Sequence, residues 1–343
     1  MNTIPLISII IPTLNSRKTI GECLESILKQ DYPKDRIEII IADGGSTDGT
    51  IDIINSAKAA NLRVLANPLK TGEAGKAAGA KAARSDISAF IDSDNILPSA
   101  DWLKRMTEPF LDPVIIAAEP IRYAYRKTDN YITRYCALMG MNDPLCLFLG
   151  NYDRYNYITG KWTGMPCQTE KRQGYLKIGL DKRCLPTIGA NGFLIRTGTL
   201  NKYNAGEYLF DIDVLYKLLD AGYEFKIAKV DTDIVHIFCG GFVDFTRKQR
   251  RRITDYAYYK KLGLRKYKWT NNGAARILKF VIYTALLFPL IAQATAGYAR
   301  KKDGAWFFHI PACVATLVIY SFSSVRNFFI TKPASRDKWQ EAR

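Results

Sequence analysis

Two almost continuous apolar runs, each followed at once by acidic residues, constrain the fold of this chain more than any other feature. Residues 87–91 lead into Asp92-Ser93-Asp94, and residues 37–42 lead into Asp43. Apolar runs of this length are typical of strands buried on both faces, as in the middle of a parallel sheet. Because such sheets bind ligands outside the carboxyl ends of their strands, the pattern predicts one ligand site that contains these three carboxylates.

The spacing of Asp92 and Asp94 indicates what the site could bind. Two side chains at positions i and i+2 of an extended segment point to the same side. A pair of carboxylates placed in this way can hold a hard divalent cation that also contacts phosphate groups. A single aspartate after a strand is typical of an ordinary turn. Three acids after two strands of the buried type favour a functional site instead.

Strands and helices alternate over the first 120 residues, which is typical of a parallel sheet with helices on its faces. Strands are predicted at residues 7–12, 37–42, 62–65 and 87–91. Glycine-rich stretches at residues 44–50 and 72–79 lie between a strand and a helix, where backbone N–H groups favour anions. Neither stretch is a Walker loop or a dinucleotide-binding fingerprint. The sequence therefore predicts an α/β domain with a mostly parallel sheet.

The order of the motifs resembles that of the family 2 glycosyltransferases, which have the GT-A fold. The similar segments are Pro12-Thr13-Leu14-Asn15, residues 42–50, Asp92-Ser93-Asp94, residues 189–196 and residues 210–214. The resemblance extends over about residues 5–240. It implies a GT-A sheet flanked by helices and the transfer of a sugar from a nucleotide sugar with inversion of the anomeric carbon.

The resemblance also implies which residues hold the donor. Asp43 would accept a hydrogen bond from the nucleobase, and Lys76 would meet the diphosphate as a point charge. The full set of donor-side residues that it implies is Pro12, Thr13, Asn15, Asp43, Gly44, Lys76, Asp92 and Ser93.

Metal binding and catalysis are assigned from the same resemblance. Asp92 and Asp94 would hold Mg²⁺ or Mn²⁺ against the sugar diphosphate. His236 follows two apolar residues at a strand end, where it is either a further metal ligand or a hydrogen-bonded core histidine. Asp211 would be the general base that takes the proton of the acceptor hydroxyl.

The resemblance extends to the acceptor side of the site. The resemblance places Asn191, Gly192 and Asp213 there. Asp211 and Asp213 also fit a purely structural role, as the capping residue and the first-turn acid of a helix.

Four positions depart from the usual family pattern. Ser16 and Phe210 stand where an acidic residue is common, Gly44 replaces an aspartate, and Lys76 replaces an arginine. Since residue 210 is not glutamate, Asp211 is the better candidate for the base.

The positive charge of the chain is confined to its last third. Residues 1–245 carry 29 basic and 29 acidic side chains, whereas residues 246–343 carry 20 and 4. Residues 280–299 and 304–325 contain no charged residue. Each stretch is long enough to cross a bilayer, and the denser basic flanks predict that both ends lie in the cytosol. The expected arrangement is a membrane hairpin, with helices in the membrane plane or a soluble helical subdomain as alternatives.

These observations predict the organisation of the chain. Residues 1–240 would form the catalytic domain, with a donor half at 1–120 and an acceptor half at 121–240 that includes a tyrosine-rich insertion. A basic juxtamembrane segment at 241–276, two apolar helices within 277–330 and a polar tail at 331–343 would follow. Seven cysteines without a Cys-x-x-Cys pair predict neither a disulfide framework nor a zinc site, in keeping with a cytosolic body.

Three classes of function remain to be compared. The favoured one is a membrane-anchored, metal-dependent inverting glycosyltransferase with a lipid-linked or cell-surface glycan acceptor; a polyprenyl-phosphate glycosyltransferase is an alternative within the class. A nucleotidyltransferase that makes nucleotide sugars would need a basic glycine-rich loop after the first strand, where Thr13-Leu14-Asn15-Ser16 stands instead. A nucleic-acid-binding protein is disfavoured, because the positive charge lies beside apolar segments and not in a recognition motif.

Overall fold

The first strand predicted from the sequence is an interior strand of the sheet, with a parallel neighbour on each side. The computed structural model describes residues 4–59, 61–183, 185–189, 191–203, 206–267 and 273–327. Its first elements are β1 (Ile7–Thr13), α1 (Ile20–Leu28), β2 (Ile37–Asp43), α2 (Thr50–Ser56), β3 (Leu62–Ala66), α3 (Gly72–Ala82) and β4 (Ile87–Phe90). All seven residues of β1 are buried, because β2 and β4 flank it in parallel and helices cover both faces. The predicted strands and their order are confirmed.

Both sequence halves contribute to one sheet. The middle of the chain forms β5 (Asn95–Ile96), α4 (Trp102–Thr107), β6 (Ile115–Ala124), α5 (Tyr131–Met139), α6 (Leu145–Leu149), β7 (Gln168–Arg172), β8 (Tyr175–Gly179), β9 (Phe193–Arg196), α7 (Thr197–Tyr203), α8 (Asp211–Asp220) and β10 (Lys226–His236). Over the described residues the strand order is β3-β2-β1-β4-β9-β6-β10-β8-β7, and β5 pairs with β10. The α/β fold class is confirmed.

The sheet is mixed, and its two halves differ in strand direction. From β3 to β4 every pair is parallel, as the apolar runs predict. Beyond β4 the sheet becomes mainly antiparallel, because β9 runs against both β4 and β6. The prediction of a mostly parallel sheet therefore holds for the donor half only. The antiparallel β9 lies beside β4 and brings the chain just before it next to Asp92 and Asp94.

The second glycine-rich stretch is a helix and not a loop. Gly75 and Gly79 lie within α3 and face β1, where a Cβ atom would come within 2.7 Å of Pro12 and 2.3 Å of Ile10. Glycine at these positions lets the helix approach the strand closely. This contact holds Lys76, the next residue after Gly75, over the carboxyl end of β1.

The last third of the described chain is helical and packs on the α/β domain. It consists of α9 (Phe242–Lys261), α10 (Ala274–Leu286), α11 (Phe288–Arg300) and α12 (His309–Asn327). The first uncharged stretch is broken: α10 and α11 meet at 92° around Leu287, which has a φ of +60° and precedes Pro289. By length and composition the stretch Gly304–Ser324 could cross a membrane, and the bent pair would be a second crossing only if it acted as one span.

Several aromatic side chains of the tyrosine-rich insertion belong to the core, and so do most of the described cysteines. Within residues 121–188, Tyr135, Tyr152 and Trp162 are buried core side chains, so those aromatic rings serve packing. Cys167 is disulfide-bonded, a bond that the sequence pattern did not predict. Five other cysteines of the described residues are buried thiols: Cys23, Cys136, Cys146, Cys239 and Cys313.

Candidate active site

A single cleft of about 510 Å³ lies at the carboxyl ends of β1 and β4. The sequence-predicted residues that line it are Pro12, Thr13, Lys76, Asp92, Ser93, Asp94, Asn191, Asp211 and His236. These residues come from six separate segments of the chain, and the fold brings them together. Asn15, Asp43, Gly44, Gly192 and Asp213 are not among the residues that line the cleft.

The acid pair lies at the centre of the cleft. Asp94 is 3.6 Å from His236 Nε2 through one carboxylate oxygen and 4.0 Å from Lys248 Nζ through the other. The pKa of Asp92 is raised, chiefly because burial penalises the charged form; nearby Lys76 lowers it and the charge of Asp94 raises it further. Two carboxylates that repel each other in a buried place favour the binding of a cation.

The loop that carries the acid pair is held by side-chain hydrogen bonds. Ser93 Oγ lies 2.8 Å from Ser16 Oγ, which joins this loop to the turn after β1. The side chain of Asn95 accepts from the Asp92 N–H at 3.0 Å, and it donates to Asn191 at 2.9 Å. Ser16, which departs from the family pattern, therefore has a structural partner at the site.

The residues at the centre of the cleft fit a divalent metal whose coordination a phosphate ligand would complete. Asp94 and His236 are close enough to share one ion, and carboxylate and imidazole are ligands that Mn²⁺ accepts. Within the described residues no group of three or more His, Cys, Asp or Glu forms a complete metal cage. Mg²⁺ is commonly held by one or two carboxylates together with substrate phosphates, so an incomplete protein cage is compatible with this chemistry.

Asp43 organises the turn beside the cleft. Its carboxylate accepts hydrogen bonds from the backbone N–H groups of Gly45 and Ser46, at 2.8 and 2.9 Å, and from the Ser46 hydroxyl at 2.6 Å. Asn15 accepts from the Thr47 N–H at 2.9 Å across the same turn. The predicted nucleobase residues thus form one hydrogen-bonded unit, which packs beside the part of the cleft lined by Pro12 and Thr13.

The candidate base is paired with the candidate phosphate ligand. Asp211 begins α8, and its Oδ2 lies 2.7 Å from Lys76 Nζ, with only 11% and 8% of the two side chains exposed. The negative charges of Asp211 and Asp92 raise the pKa of Lys76 against the opposing effect of burial, so this lysine stays charged. One ammonium group therefore interacts with both the base candidate and the acid pair.

The loop before β9 shapes the cleft around Asp211. Gly189 has a φ of +122°, and a Cβ atom there would lie 2.2 Å from the Asp211 Cβ. Asn191, with a φ of +46°, donates to the Tyr123 hydroxyl at 3.0 Å. Gly192 packs underneath, against Ile234 and Trp102. Asn191 therefore faces the cleft, whereas Gly192 supports the loop from behind.

Asp213 holds a different part of the chain. Its Oδ1 accepts from the backbone N–H groups of Lys266 and Tyr267, at 2.6 and 2.8 Å, and its Oδ2 lies 2.8 Å from Arg265 Nε. Arg265 and Tyr267 both line the cleft. The geometry gives Asp213 the structural role that the sequence left open, since it fixes a wall of the cleft without lining it.

A group of four charged residues, three of them completely buried, lies behind the loop before β9. Lys229 lies 3.0 Å from Glu119, and Arg154 pairs with both Glu119 and Asp153. Burial lowers the pKa of Lys229 to about 8, although the two acids raise it. Arg154 also donates to the backbone carbonyl of Asn191 at 3.2 Å. The group thereby connects the core to the loop that faces the cleft.

Sequence reasoning missed the contribution of α9. Lys248 and Arg251 line the cleft, although the basic run that contains them resembles a juxtamembrane charge cluster. One sequence signal could have identified this contribution. Only a short segment containing Gly240-Gly241 separates His236 from the start of α9, so the helix must begin close to the site. Lys248 donates to the backbone carbonyl of Phe238 and stacks on its ring, so its ammonium group is held near Asp94.

Comparisons with known proteins agree with this geometry. Residues 8–177 match the model of glycosyl transferase family 2. The chain is 36% identical over 107 residues to glycosyltransferase AglE of Haloferax volcanii, covering 30% of this chain and 35% of that protein. It is 38% identical over 108 residues to a dolichyl N-acetyl-alpha-D-glucosaminyl phosphate 3-beta-D-2,3-diacetamido-2,3-dideoxy-beta-D-glucuronosyltransferase of Methanococcus voltae, covering 30% and 33%. The matches thus span about a third of the length of these relatives.

A solved structure shares the fold along almost the entire chain. The mannosyltransferase PcManGT of Pyrobaculum calidifontis, in complex with GDP-Man and Mn²⁺, superposes with a TM-score of 0.57. The alignment covers 96% of this chain and 88% of that one at 15% identity. This likeness establishes a GT-A architecture for the chain.

Proposed function

Because the chain belongs to glycosyl transferase family 2 through residues 8–177, we propose that its cleft moves a sugar from a nucleoside-diphosphate sugar to a hydroxyl group of a lipid-linked or cell-surface glycan. The observation that carries the proposal is the meeting of Asp92, Asp94, Lys76 and Asp211 in one cleft of about 510 Å³. These groups supply the functions that this reaction needs: charge neutralisation on the leaving diphosphate and a base for the attacking hydroxyl.

Donor binding is proposed at the part of the cleft next to β1. The nucleobase would lie against Pro12 and Thr13, near the unit formed by Asp43, Asn15 and Gly44. An ionised carboxylate has about four acceptor positions. Asp43 uses three of them for its own turn and could still accept a hydrogen bond from a base. The division into a donor half at 1–120 and an acceptor half at 121–240 follows from this placement.

A divalent ion, Mg²⁺ or Mn²⁺, would be held by Asp94, Asp92 and His236 at the diphosphate. When bound, it would supply positive charge that stabilises the departing nucleoside diphosphate. Lys76 and Lys248 stand on two sides of the acid pair and would contact phosphate oxygens directly. Ser93 keeps the acid-bearing loop in place through Ser16.

Asp211 would take the proton of the acceptor hydroxyl while that oxygen attacks the anomeric carbon. A single displacement of this kind inverts the anomeric configuration. When the donor diphosphate draws the ammonium group of Lys76 toward itself, the Asp211 carboxylate becomes available to the acceptor. Asn191 would orient the acceptor from the facing loop, which Gly189 lets approach Asp211.

The acceptor is proposed to be a lipid-linked glycan at the cytosolic membrane surface. One relative carries a dolichyl phosphate-linked acceptor in its name. In this chain the basic helix α9 lines the cleft, and the apolar helix α12 contacts the cleft-lining Asp143 through Tyr320. Basic segments beside apolar ones favour the anionic cytosolic leaflet. Direct transfer to a polyprenyl phosphate is the alternative within the same chemistry.

The experiment is a thermal-shift screen of nucleotide sugars with Mn²⁺, followed by product analysis with the stabilising donor. The proposal predicts release of a nucleoside diphosphate that increases when a lipid-linked glycan is added. Release of pyrophosphate would instead identify a nucleotidyltransferase. If none of the donors stabilises the protein and no nucleoside diphosphate appears, the proposed function is wrong.

A further inference from the structure

The outer side of the C-terminal helices is an exposed apolar surface. Large apolar side chains at the corner between α10 and α11 are between 42% and 66% exposed, namely Ile282, Leu286, Leu287, Phe288 and Ile291. We call these five residues the apolar corner. It lies within residues 280–299, which carry no charge. Apolar groups that cluster in this way mark a surface that contacts a protein or a membrane.

The inner side of the same helices is packed on the catalytic body. His309 Nδ1 lies 2.8 Å from the Tyr135 hydroxyl of α5, and Tyr320 donates to Asp143, which lines the cleft, at 2.5 Å. Phe280, Leu290 and Cys313 form a core with the residues of α6. The helices are therefore part of the folded catalytic unit.

These contacts favour helices that do not cross a bilayer. His309 and Tyr320 are eleven residues apart, which is about 16 Å along α12. Both ends of that stretch contact polar groups of the catalytic body, whereas a span must pass through about 30 Å of hydrocarbon. At 13 residues each, α10 and α11 are about 20 Å long, and they meet at 92°.

We infer that α10–α12 bind one leaflet of an anionic membrane in the plane of its surface, with the apolar corner inserted and no helix crossing the bilayer. The inference rests on the proposed membrane location and specifies its geometry. In-plane helices of this type bury their apolar face about 5–10 Å below the headgroups. The occupant is a membrane because exposed basic residues, including Lys260, Lys279 and Lys302, lie before and after the apolar corner along the chain, and residues 246–302 contain 15 basic side chains and one acidic.

The geometry also predicts how the acceptor reaches the site. Asp143 and Arg252 touch each other at 3.6 Å where α9 adjoins the cleft, and both contact the apolar helices through Tyr320. A membrane that holds α10–α12 would therefore lie next to the acceptor side of the cleft. A phosphate-linked glycan could enter from the headgroup layer without leaving the lipid.

The test is flotation of the full-length protein with vesicles of phosphatidylcholine alone or mixed with phosphatidylglycerol. The wild-type protein should float with the anionic vesicles. Phe288→Glu should bind them roughly 10–100-fold more weakly, as expected when one large apolar side chain no longer inserts. The matched control is Leu111→Glu, since Leu111 is equally exposed, at 65% against 66%, but lies on the catalytic body. It should float like the wild-type protein.

Carbonate washing separates the two membrane geometries. An in-plane protein should leave the membrane at high pH, whereas a spanning hairpin would stay in the pellet and overturn the inference. Equal flotation of Phe288→Glu and wild type would also overturn it. So would concentration-dependent dimerisation that Phe288→Glu abolishes without any vesicle binding, because the occupant would then be a second copy.

Failure of this inference and failure of the proposed function give different results. Phe288→Glu should release nucleoside diphosphate from the donor at the wild-type rate when the acceptor is soluble, since none of the five residues of the apolar corner lines the cleft. A wild-type protein that floats but releases no nucleoside diphosphate would contradict the proposed function and leave the membrane geometry intact.

Discussion

The pair formed by Lys76 and Asp211 allows stability and catalysis to be separated by a double-mutant cycle. Asp211→Asn keeps the shape of the side chain but removes the charge that lies 2.7 Å from the Lys76 ammonium. Because both side chains are about nine-tenths buried, the variant leaves a buried lysine charge that has lost its ion-pair partner and retains the negative charge of Asp92 nearby. Removal of one partner from a buried ion pair costs about 3–5 kcal/mol of unfolding free energy.

The same substitution removes the proposed base. Loss of general-base catalysis should slow transfer roughly 10²–10⁴-fold. Lys76→Met should also destabilise the protein, because the Asp211 carboxylate then loses its cation. In the double variant neither charge remains, so the two losses should not add, with a coupling energy of about 1–3 kcal/mol. Transfer should remain as slow as in Asp211→Asn, since the base is still absent.

Chemical denaturation of the four proteins gives the coupling energy, and release of nucleoside diphosphate gives the rate. Donor binding, measured by thermal shift with Mn²⁺, should persist in Asp211→Asn and weaken in Lys76→Met. Two results would refute the reasoning. Wild-type transfer by Asp211→Asn would show that another group is the base, and recovery of transfer in the double variant would show that the charge of Asp211 matters only for folding.

Three further predictions concern the acid pair, the facing loop and a buried histidine. Asp94→Asn should abolish metal-dependent turnover while circular dichroism shows an intact fold, and full activity of the wild type in EDTA would contradict the metal assignment. Gly189→Ala should lower transfer much more than it lowers donor binding, because the new Cβ would meet Asp211 at 2.2 Å; unchanged kinetics would show that the loop can move away. His309 has its pKa lowered by burial from 6.5 to about 4, so the unfolded chain binds more protons between these values. The unfolding free energy should therefore fall by up to about 3 kcal/mol as the pH drops from 6.5 to 4, and denaturation of His309→Gln should lack this dependence.

The sequence was sufficient for those parts of the fold that local pattern decides. Residues 37–42 and 87–91 are apolar at every buried position except Ser88, so β2 and β4 and the acids after them could be predicted. The parallel register, which aligns Thr13 with Asp43, then places these acids at one edge of the sheet.

Contacts between distant segments could not be predicted in this way. The pairing of Lys76 with Asp211 joins residues 135 positions apart, and the burial of Asp213 depends on a segment that follows α9. No local pattern distinguishes a carboxylate that faces a cleft from one that fixes its wall. A basic run such as that of α9 is typical both of a segment at a membrane surface and of a segment at a phosphate site. Composition therefore did not identify Lys248 as a residue of the cleft.

The C-terminal helices show a further limit of composition. Residues 280–299 have the length and the lack of charge of a membrane span, but Leu287 adopts a positive φ and Pro289 cannot continue the preceding helix. Hydropathy does not report on such a break. It also does not report that His309 and Tyr320 have polar partners in the catalytic body.

The central claim is that the cleft breaks the bond between a sugar and a nucleoside diphosphate with the help of Asp94 and Asp211. The most direct measurement is the amount of nucleoside diphosphate and glycosylated acceptor formed from one donor by the wild type, Asp94→Asn and Asp211→Asn. We expect the wild type to form equal amounts of the two products, with inverted anomeric configuration. Both variants should form almost none, and Asp94→Asn should have the same fold stability as the wild type. Product of retained configuration, or turnover by both variants at the wild-type rate, would contradict it.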